Sequence, residues 1–273
     1  MSAIGHVLEA PSSRASGAIV ACAGAPVPWA LVADPGPGRP HNEDRWRVDD
    51  ASGTFVLADG MGGYNAGEVA SEIATRTVVE LVGALQAAGL APAEALQRAV
   101  AAAHAGIVEF ARTRPECLGM ATTLVAASIA GERLTVAHVG DSRAYLYREG
   151  TLHRLTRDHS IGQQMLDAGR MTESQVRRLP ARGILTRALG IATEPPVADV
   201  TALDWRAGDL LLLCSDGLTD SLDDGRIAAA LQPPDAPLAG LASALIVDAL
   251  SRGCTDDATV LLAGGARSMP ASH

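Results

Sequence analysis

Residues 132–155 read "ERLTVAHVGDSRAYLYREGTLHRL". Three short runs rich in Val, Leu, Tyr and Thr are separated by turns that contain Gly140 and Gly150. Turns this brief join antiparallel strands, whereas parallel neighbours need a crossover of about a dozen residues or more. The stretch therefore predicts a β-meander and argues against right-handed βαβ units.

Working outward, similar strand-like runs fall near 28–33, 45–48, 54–58, 122–129, 198–204, 209–214 and 257–262. Two helical patterns interrupt them. Over 66–88, Val69, Ile73, Leu81 and Leu85 share one stripe, with Asn65 as N-cap and Glu68 at capping-box spacing. Over 92–113, Leu96, Val100, Ala103, Ile107 and Phe110 do the same behind Pro92. Strands clustered around a helix pair predict an α+β protein whose helices cover antiparallel sheets. The polar stretch from His159 to Gly183 holds two short helices at best and reads as an excursion that carries substrate contacts. Residues 1–26, rich in Ala, Ser, Gly and Pro, are expected to form a flexible leader. One domain over 27–265 and a disordered tail over 266–273 complete the expected organisation.

With 273 residues the chain can bury a sizeable core, and its formal charge of −9 argues against nucleic-acid binding, which depends on Lys and Arg neutralising phosphates. The same charge suits a site that gathers carboxylates around cations. Cysteines 22, 117, 214 and 254 lack C-x-x-C spacing, which argues against a zinc cage and suggests reduced thiols in a cytoplasmic protein. The run "GAIVACAGA" imitates a signal sequence, but its apolar part is too short, and no run approaches the ~20 apolar residues that span a bilayer.

The acids carry the chemistry. Asp59 follows "FVLA", Asp141 follows "TVAHVG", Asp216 follows "LLLLCS", and Asp256 and Asp257 precede "ATVLLAG". A lone Asp at a strand end is an ordinary turn former or N-cap. Several in matched contexts bring carboxylates to one edge of the sheets, where they cannot all ionise without a cation. Oxygen ligands at that density suit Mg²⁺ or Mn²⁺ better than zinc. Asp216 and Asp220, four apart at a strand-to-helix junction, share a helix face. Upstream, "GPGRPHNEDRW" places Arg39, Glu43 and Asp44 together, a guanidinium fork suited to phosphate beside two more acids.

The ordered motifs "RPHNED", "VLADGMGG", "MATTLVAA", "VGDSRAYL", "LTRDHS", "ILTRALG", "LLLCSDGLTD" and "DDATVLL" resemble the metal-dependent protein phosphatase 2C family of compact bacterial type, from about Trp29 to Ala263. The resemblance implies a sandwich of two antiparallel β-sheets flanked by pairs of α-helices, four layers in all, with a binuclear Mn²⁺ or Mg²⁺ centre. It implies that Asp59 bridges both ions and the Gly60 carbonyl binds one. Asp216 and Asp256 then complete one ion's shell, with Glu43 and Asp44 holding the other directly or through water. Arg39 is implied to bind the substrate phosphate, and Asp141, Asp216 and Asp220 a third, weaker ion. The excursion at 160–183 matches the family's flap.

The implied activity is hydrolysis of phosphoserine and phosphothreonine in proteins by a water bridging the two ions. The expected setting is a cytoplasmic monomer working on phosphoproteins, with a cognate Ser/Thr kinase as partner. The competing reading is a catalytically weak phosphatase fold that binds phosphoprotein or a regulator. A nucleophilic role for Asp59 needs a second Asp two residues on, where Met61 stands.

Three departures stand out. Met61 and Tyr64 occupy positions where relatives carry a His, leaving water, His41 or Tyr64 as proton donor, with water preferred. Ala121 replaces a Gly in "MATT". The usual Asp-Asn pair is Asp256-Asp257, with Asp256 assigned as ligand and Asp257 behind it.

Overall fold

The structure, a computed structural model, describes residues 7–9, 21–23, 27–63, 66–191, 194–232 and 236–264. Tyr64, Asn65, the tail over 266–273 and most of 1–26 lie outside the described residues.

The chain runs β1 (Val7–Glu9), β2 (Ala21–Ala23), β3 (Trp29–Asp34), β4 (Arg45–Asp49), β5 (Thr54–Ala58) and β6 (Gly60–Met61), then helices α1 (Ala66–Ala87) and α2 (Pro92–Arg112). It continues through β7 (Ala121–Thr122), β8 (Leu124–Ala130), β9 (Arg133–Val139), β10 (Arg143–Arg148) and β11 (Thr151–Arg154). Helices α3 (Ile161–Asp167) and α4 (Glu173–Val176) precede β12 (Asp199–Asp204), β13 (Leu210–Cys214), α5 (Asp216–Ser221), α6 (Asp224–Ala230), α7 (Leu238–Ser251) and β14 (Ala258–Gly264).

Two six-stranded sheets result, ordered β1-β4-β5-β8-β9-β12 and β11-β10-β13-β14-β3-β2. Every pairing in them is antiparallel. Side chains alternate across a strand, and both faces here are covered. In β8, Leu124 and Ala126 pack under α1 and α2, while Val125, Ala127 and Ile129 face the other sheet. In β13, Leu211 and Leu213 join the layer between the sheets, and Leu210, Leu212 and Cys214 pack under α5 to α7. Burial on both faces explains why "LLLLC" and "LVAASIA" read as unbroken apolar runs rather than alternating ones. Trp29 and Trp46 meet in the middle layer with ring centroids 6.2 Å apart. The four-layer sandwich follows, and truncating a middle-layer residue such as Leu211 to Ala would cost about 2–5 kcal/mol.

Several features depart from the sequence reading, among them β1 and β2, which pair with β4 and β3 from within the stretch expected to be a leader. Strands β9 and β10 do not pair: β9 sits in the first sheet and β10 in the second, so only β10 and β11 form the anticipated hairpin. Gly140, at φ +101°, turns the chain between sheets where a Cβ would meet Thr123 Cβ at 2.7 Å. A turn that changes sheets is as short as one that closes a hairpin, so brevity alone does not separate them. Another is α7, where the sequence pattern predicts no helix. Its sequence "LAGLASALIVDALS" is apolar around most of its circumference, with Leu245 buried and Val247 exposed, which blurs the helical period.

The excursion does form two short helices. Ser160 caps α3 by accepting from the Gln163 amide at 3.3 Å, and its base is closed by Ile161 N–H to Ile184 O at 2.9 Å. No helix among the described residues is long and apolar enough to cross a membrane.

Candidate metal centre

The antiparallel order places the start of β4, the end of β5, the β9–β10 turn, the end of β13 and the start of β14 at one end of the sandwich. Asp44, Asp59, Asp141, Asp216 and Asp256 are the residues at those points. Asp59 feels all four others, as the electrostatics below show.

Asp59 is held by its backbone. Its N–H donates to Thr123 Oγ1 at 3.0 Å, and its carbonyl accepts from Thr123 N–H at 2.9 Å and Thr122 Oγ1 at 2.8 Å. Thr123 Oγ1 in turn shares a hydrogen bond of 2.7 Å with Ser142 Oγ, which ties "MATT" to "VGDS". Gly60 pairs with Thr122, and Met61, half-buried, with Ala121. The first turn of α1 then presses directly on this backbone, since a Cβ on Gly60 would lie 2.2 Å from Gly67 O.

Asp44 and Glu43 come from a loop locked on several sides. Asp44, 3 % exposed, accepts from Ser215 Oγ at 2.8 Å and Thr259 Oγ1 at 2.6 Å, both on Oδ2. Its Oδ1 is buried with no hydrogen-bond partner. The Glu43 N–H donates to Asp257 Oδ2 at 2.8 Å and its carbonyl accepts from Ser71 Oγ at 2.6 Å. Arg45 Nη1 donates to the carbonyls of Asn42 and Asp44 at 2.7 Å, while Nη2 pairs with Glu68 on α1 at 2.5 Å. Sequence reasoning missed these hydroxyls and Arg45, because which buried Ser or Thr meets which acid depends on strand order.

Crowding raises the acids' pKa values. Burial, with Asp44, Asp216, Asp141 and Asp256 behind it, holds Asp59 well above the usual carboxylate range. Burial and Asp257 push Asp44 up to about 7, against the Thr259 and Ser215 hydroxyls. Asp216 reaches about 6 through burial, Asp220 and Asp256, partly offset by a hydrogen bond with Asp59. Asp141 is also held well up, by burial and then Asp216. Burial raises Glu43 more modestly, with Arg39 opposing.

Such a cluster is a poor ion-pair site and a good cation site. Its donors are oxygens only, and the unpartnered Asp44 Oδ1 is the kind of buried acceptor that a bound cation satisfies. The residues therefore fit hard divalent ions.

Arg39 lies at the rim, paired with Asp256 and, at 2.7 Å, with Asp257 Oδ2. Asp220 is turned outward and pairs with Arg182 of the excursion at 2.8 Å, so of the three acids read as a further site only the buried Asp141 and the half-buried Asp216 sit with Asp59 and Asp44. A cleft of about 710 Å³ leads from Asp141 and Asp216 between the excursion and α5–α6, with Arg143, Arg177 and Arg182 in its walls. His41 is exposed on the loop before Asn42.

A different cluster, His138, His159 and Asp199, has potential ligand atoms within 4.8 Å of one another. The Gly140 N–H donates to His159 Nδ1 at 3.1 Å, so the neutral ring carries its proton on Nε2, which faces Asp199 Oδ2 at 3.2 Å. Arg187 already supplies Asp199 with a cation at 2.8 Å. The group is a hydrogen-bonded brace at the base of the excursion, with the His138 and His159 rings stacked at 4.8 Å.

Comparison with known proteins agrees with this geometry. Residues 39–244 match the family described as protein phosphatase 2C. The serine/threonine protein phosphatase PstP of Mycobacterium tuberculosis is 40 % identical over 236 residues, covering 86 % of this chain but 44 % of the relative, so the chain spans less than half of that protein's length. The serine/threonine phosphatase stp of Listeria innocua is 36 % identical, covering 84 % of this chain and 92 % of its own. A solved structure of the PstP catalytic domain in complex with two manganese ions superposes with a TM-score of 0.76 at 36 % identity, covering 87 % of this chain and 97 % of that one. Sandwich, acid cluster and extended similarity coincide over the same residues, and the chain belongs to the protein phosphatase 2C family.

Proposed function

We propose that the chain is a metal-dependent protein serine/threonine phosphatase that hydrolyses phosphoserine and phosphothreonine esters using two Mn²⁺ or Mg²⁺ ions. The observation that carries this reading is the gathering of Asp44, Asp141, Asp216 and Asp256 around Asp59, with Asp44 Oδ1 buried and unpartnered. The relatives named serine/threonine phosphatase, and the manganese in the PstP structure, support it.

In this reading Asp59 and the Gly60 carbonyl would help hold the two ions, with Asp216 and Asp256 serving one and Glu43 and Asp44 the other, directly or through water. Asp141 and Asp216, with Asp220 once freed from Arg182, provide a third and weaker site. Bound there, the ions supply a nucleophilic water at neutral pH and positive charge against the transferred phosphoryl group.

The chain's own residues do the rest. The Thr122–Thr123–Ser142 brace fixes Asp59, the Ser215 and Thr259 hydroxyls orient Asp44, and Arg39 offers its planar fork to the substrate phosphate. The cleft beside the excursion takes the polypeptide around the phosphorylated residue. Met61 has no proton to give, and water, preferred over His41 and Tyr64, protonates the departing alkoxide.

We take 27–265 as the catalytic domain and 160–183 as its flap, and place the protein as a monomer in the cytoplasm opposite a cognate Ser/Thr kinase. The buried free thiols of Cys117, Cys214 and Cys254 support a reducing compartment. The test is turnover of a phosphothreonine peptide with Mn²⁺ and with chelator. Turnover that chelator abolishes and Asp59→Ala eliminates is expected. Metal-independent turnover, or none at full metal occupancy, overturns the reading.

A further inference from the structure

Asp257 stands where the family pattern usually has Asn, and its carboxylate is 2 % exposed. Burying a charge there is costly unless it is used. Its position is rigid: a Cβ on Gly217 would sit 2.2 Å from the Asp257 carbonyl, and its N–H donates to Asp256 Oδ1 at 2.8 Å. Oδ2 accepts the Glu43 N–H at 2.8 Å and forms an ion pair with Arg39 Nη1 at 2.7 Å.

Both carboxylates that meet Arg39 do so through Nη1. The edge formed by Nε and Nη2 is thereby left to form two parallel hydrogen bonds with an oxyanion. The two carboxylates differ in what else they can do. Asp256, with a side chain 55 % exposed at the mouth of the centre, is the proposed metal ligand, and a carboxylate engaged by a cation no longer holds a guanidinium with full charge. Asp257 is buried behind it and tied to the Glu43 backbone, so it keeps Arg39 when Asp256 turns to metal.

We propose that Asp257 is a positioning residue that anchors Nη1 of Arg39 and so presents the guanidinium's Nε–Nη2 edge to the substrate phosphate. This rests on the phosphatase reading given above. An Asn here keeps the shape and can still accept through its carbonyl oxygen. It loses the charge that makes the bond to Arg39 strong, and its NH₂ falls where Oδ1 is buried without a partner.

The test is a double-mutant cycle at saturating Mn²⁺, reading KM for a phosphothreonine peptide, kcat, and the inhibition constant of inorganic phosphate. Asp257→Asn is expected to raise KM and the phosphate constant about fivefold, more than it lowers kcat, and to change the phosphate constant less than twofold in an Arg39→Ala background. An equal effect in both backgrounds means that Asp257 acts through the metals and overturns the proposal, as does no effect in the wild-type background. Nitrogen NMR of the Arg39 guanidinium in the Mg²⁺-loaded wild type needs no variant. Restricted rotation about the Cζ–Nε bond is expected, and free rotation overturns the proposal. Lack of any Mn²⁺-dependent turnover by the wild type would instead refute the phosphatase reading.

Discussion

Thr259 donates its hydroxyl to Asp44 Oδ2 at 2.6 Å across 215 positions of sequence. The bond joins a strand of the second sheet to the loop that opens a strand of the first, and it fixes which oxygen of Asp44 remains for a cation. Groups that orient a ligand in this way typically affect metal affinity by 10–100-fold. Thr259→Val, which keeps the shape and removes the donor, is expected to weaken Mn²⁺ binding about tenfold by titration calorimetry. The accompanying loss of fold stability should be near 1 kcal/mol.

Removing the central charge should separate stability from function. Asp59 is repelled by Asp44, Asp216, Asp141 and Asp256. In Asp59→Asn the metal-free protein is expected to melt at or above the wild-type temperature, while Mn²⁺ no longer raises the melting point and peptide turnover disappears. Thermal melts with and without Mn²⁺ read both effects.

The raised acids also set a pH dependence. Asp44 at about 7 and Asp216 at about 6 lie above the unfolded value of about 3.9. In the metal-free protein their contribution to stability is full below the unfolded value and is lost as pH rises through about 6 to 7. Cation binding requires the deprotonated forms, so it gains in the same window. The melting-point increase caused by Mn²⁺ is therefore expected to be larger at about pH 8 than at about pH 5, and the chelated protein is expected to lose stability over that interval.

Gly67 presents two opposed effects. Replacing Gly by Ala inside a helix gains about 1 kcal/mol of helix propensity. Here the new Cβ would lie 2.7 Å from Gly60 C and Met61 N, backbone atoms that cannot swing aside, and overpacking costs about 1–3 kcal/mol. The clash dominates and displaces the Asp59 segment. Gly67→Ala is expected to lose most activity, whereas Gly63→Ala, with nothing within 4 Å of its Cβ, should stay close to wild type. Peptide turnover and thermal melts on the two variants make the comparison.

The legible part of this protein was the part written in local pattern. Asp59 and Asp216 are legible because a strand ending in an acid and a Gly is visible in one window of sequence, and Asp256 because it stands just before an apolar run. The stripes of α1 and α2 were equally plain. Thr122, Thr123, Ser142, Ser215 and Thr259 were not, since a hydroxyl in an apolar strand signals nothing until the neighbouring strand is known. The same holds for the change of sheet at Gly140, and α7 escaped because its polar face is too narrow to mark a period.

That change of sheet reaches beyond topology. Asp44 and Asp59 hang from the first sheet and Asp216 and Asp256 from the second, so any ion they share works as a rivet driven through the seam of the sandwich. Loading the rivet should tighten the whole joint, slowing amide exchange in β5 and β13 together, and a slip of either sheet by one residue would pull the holes out of line.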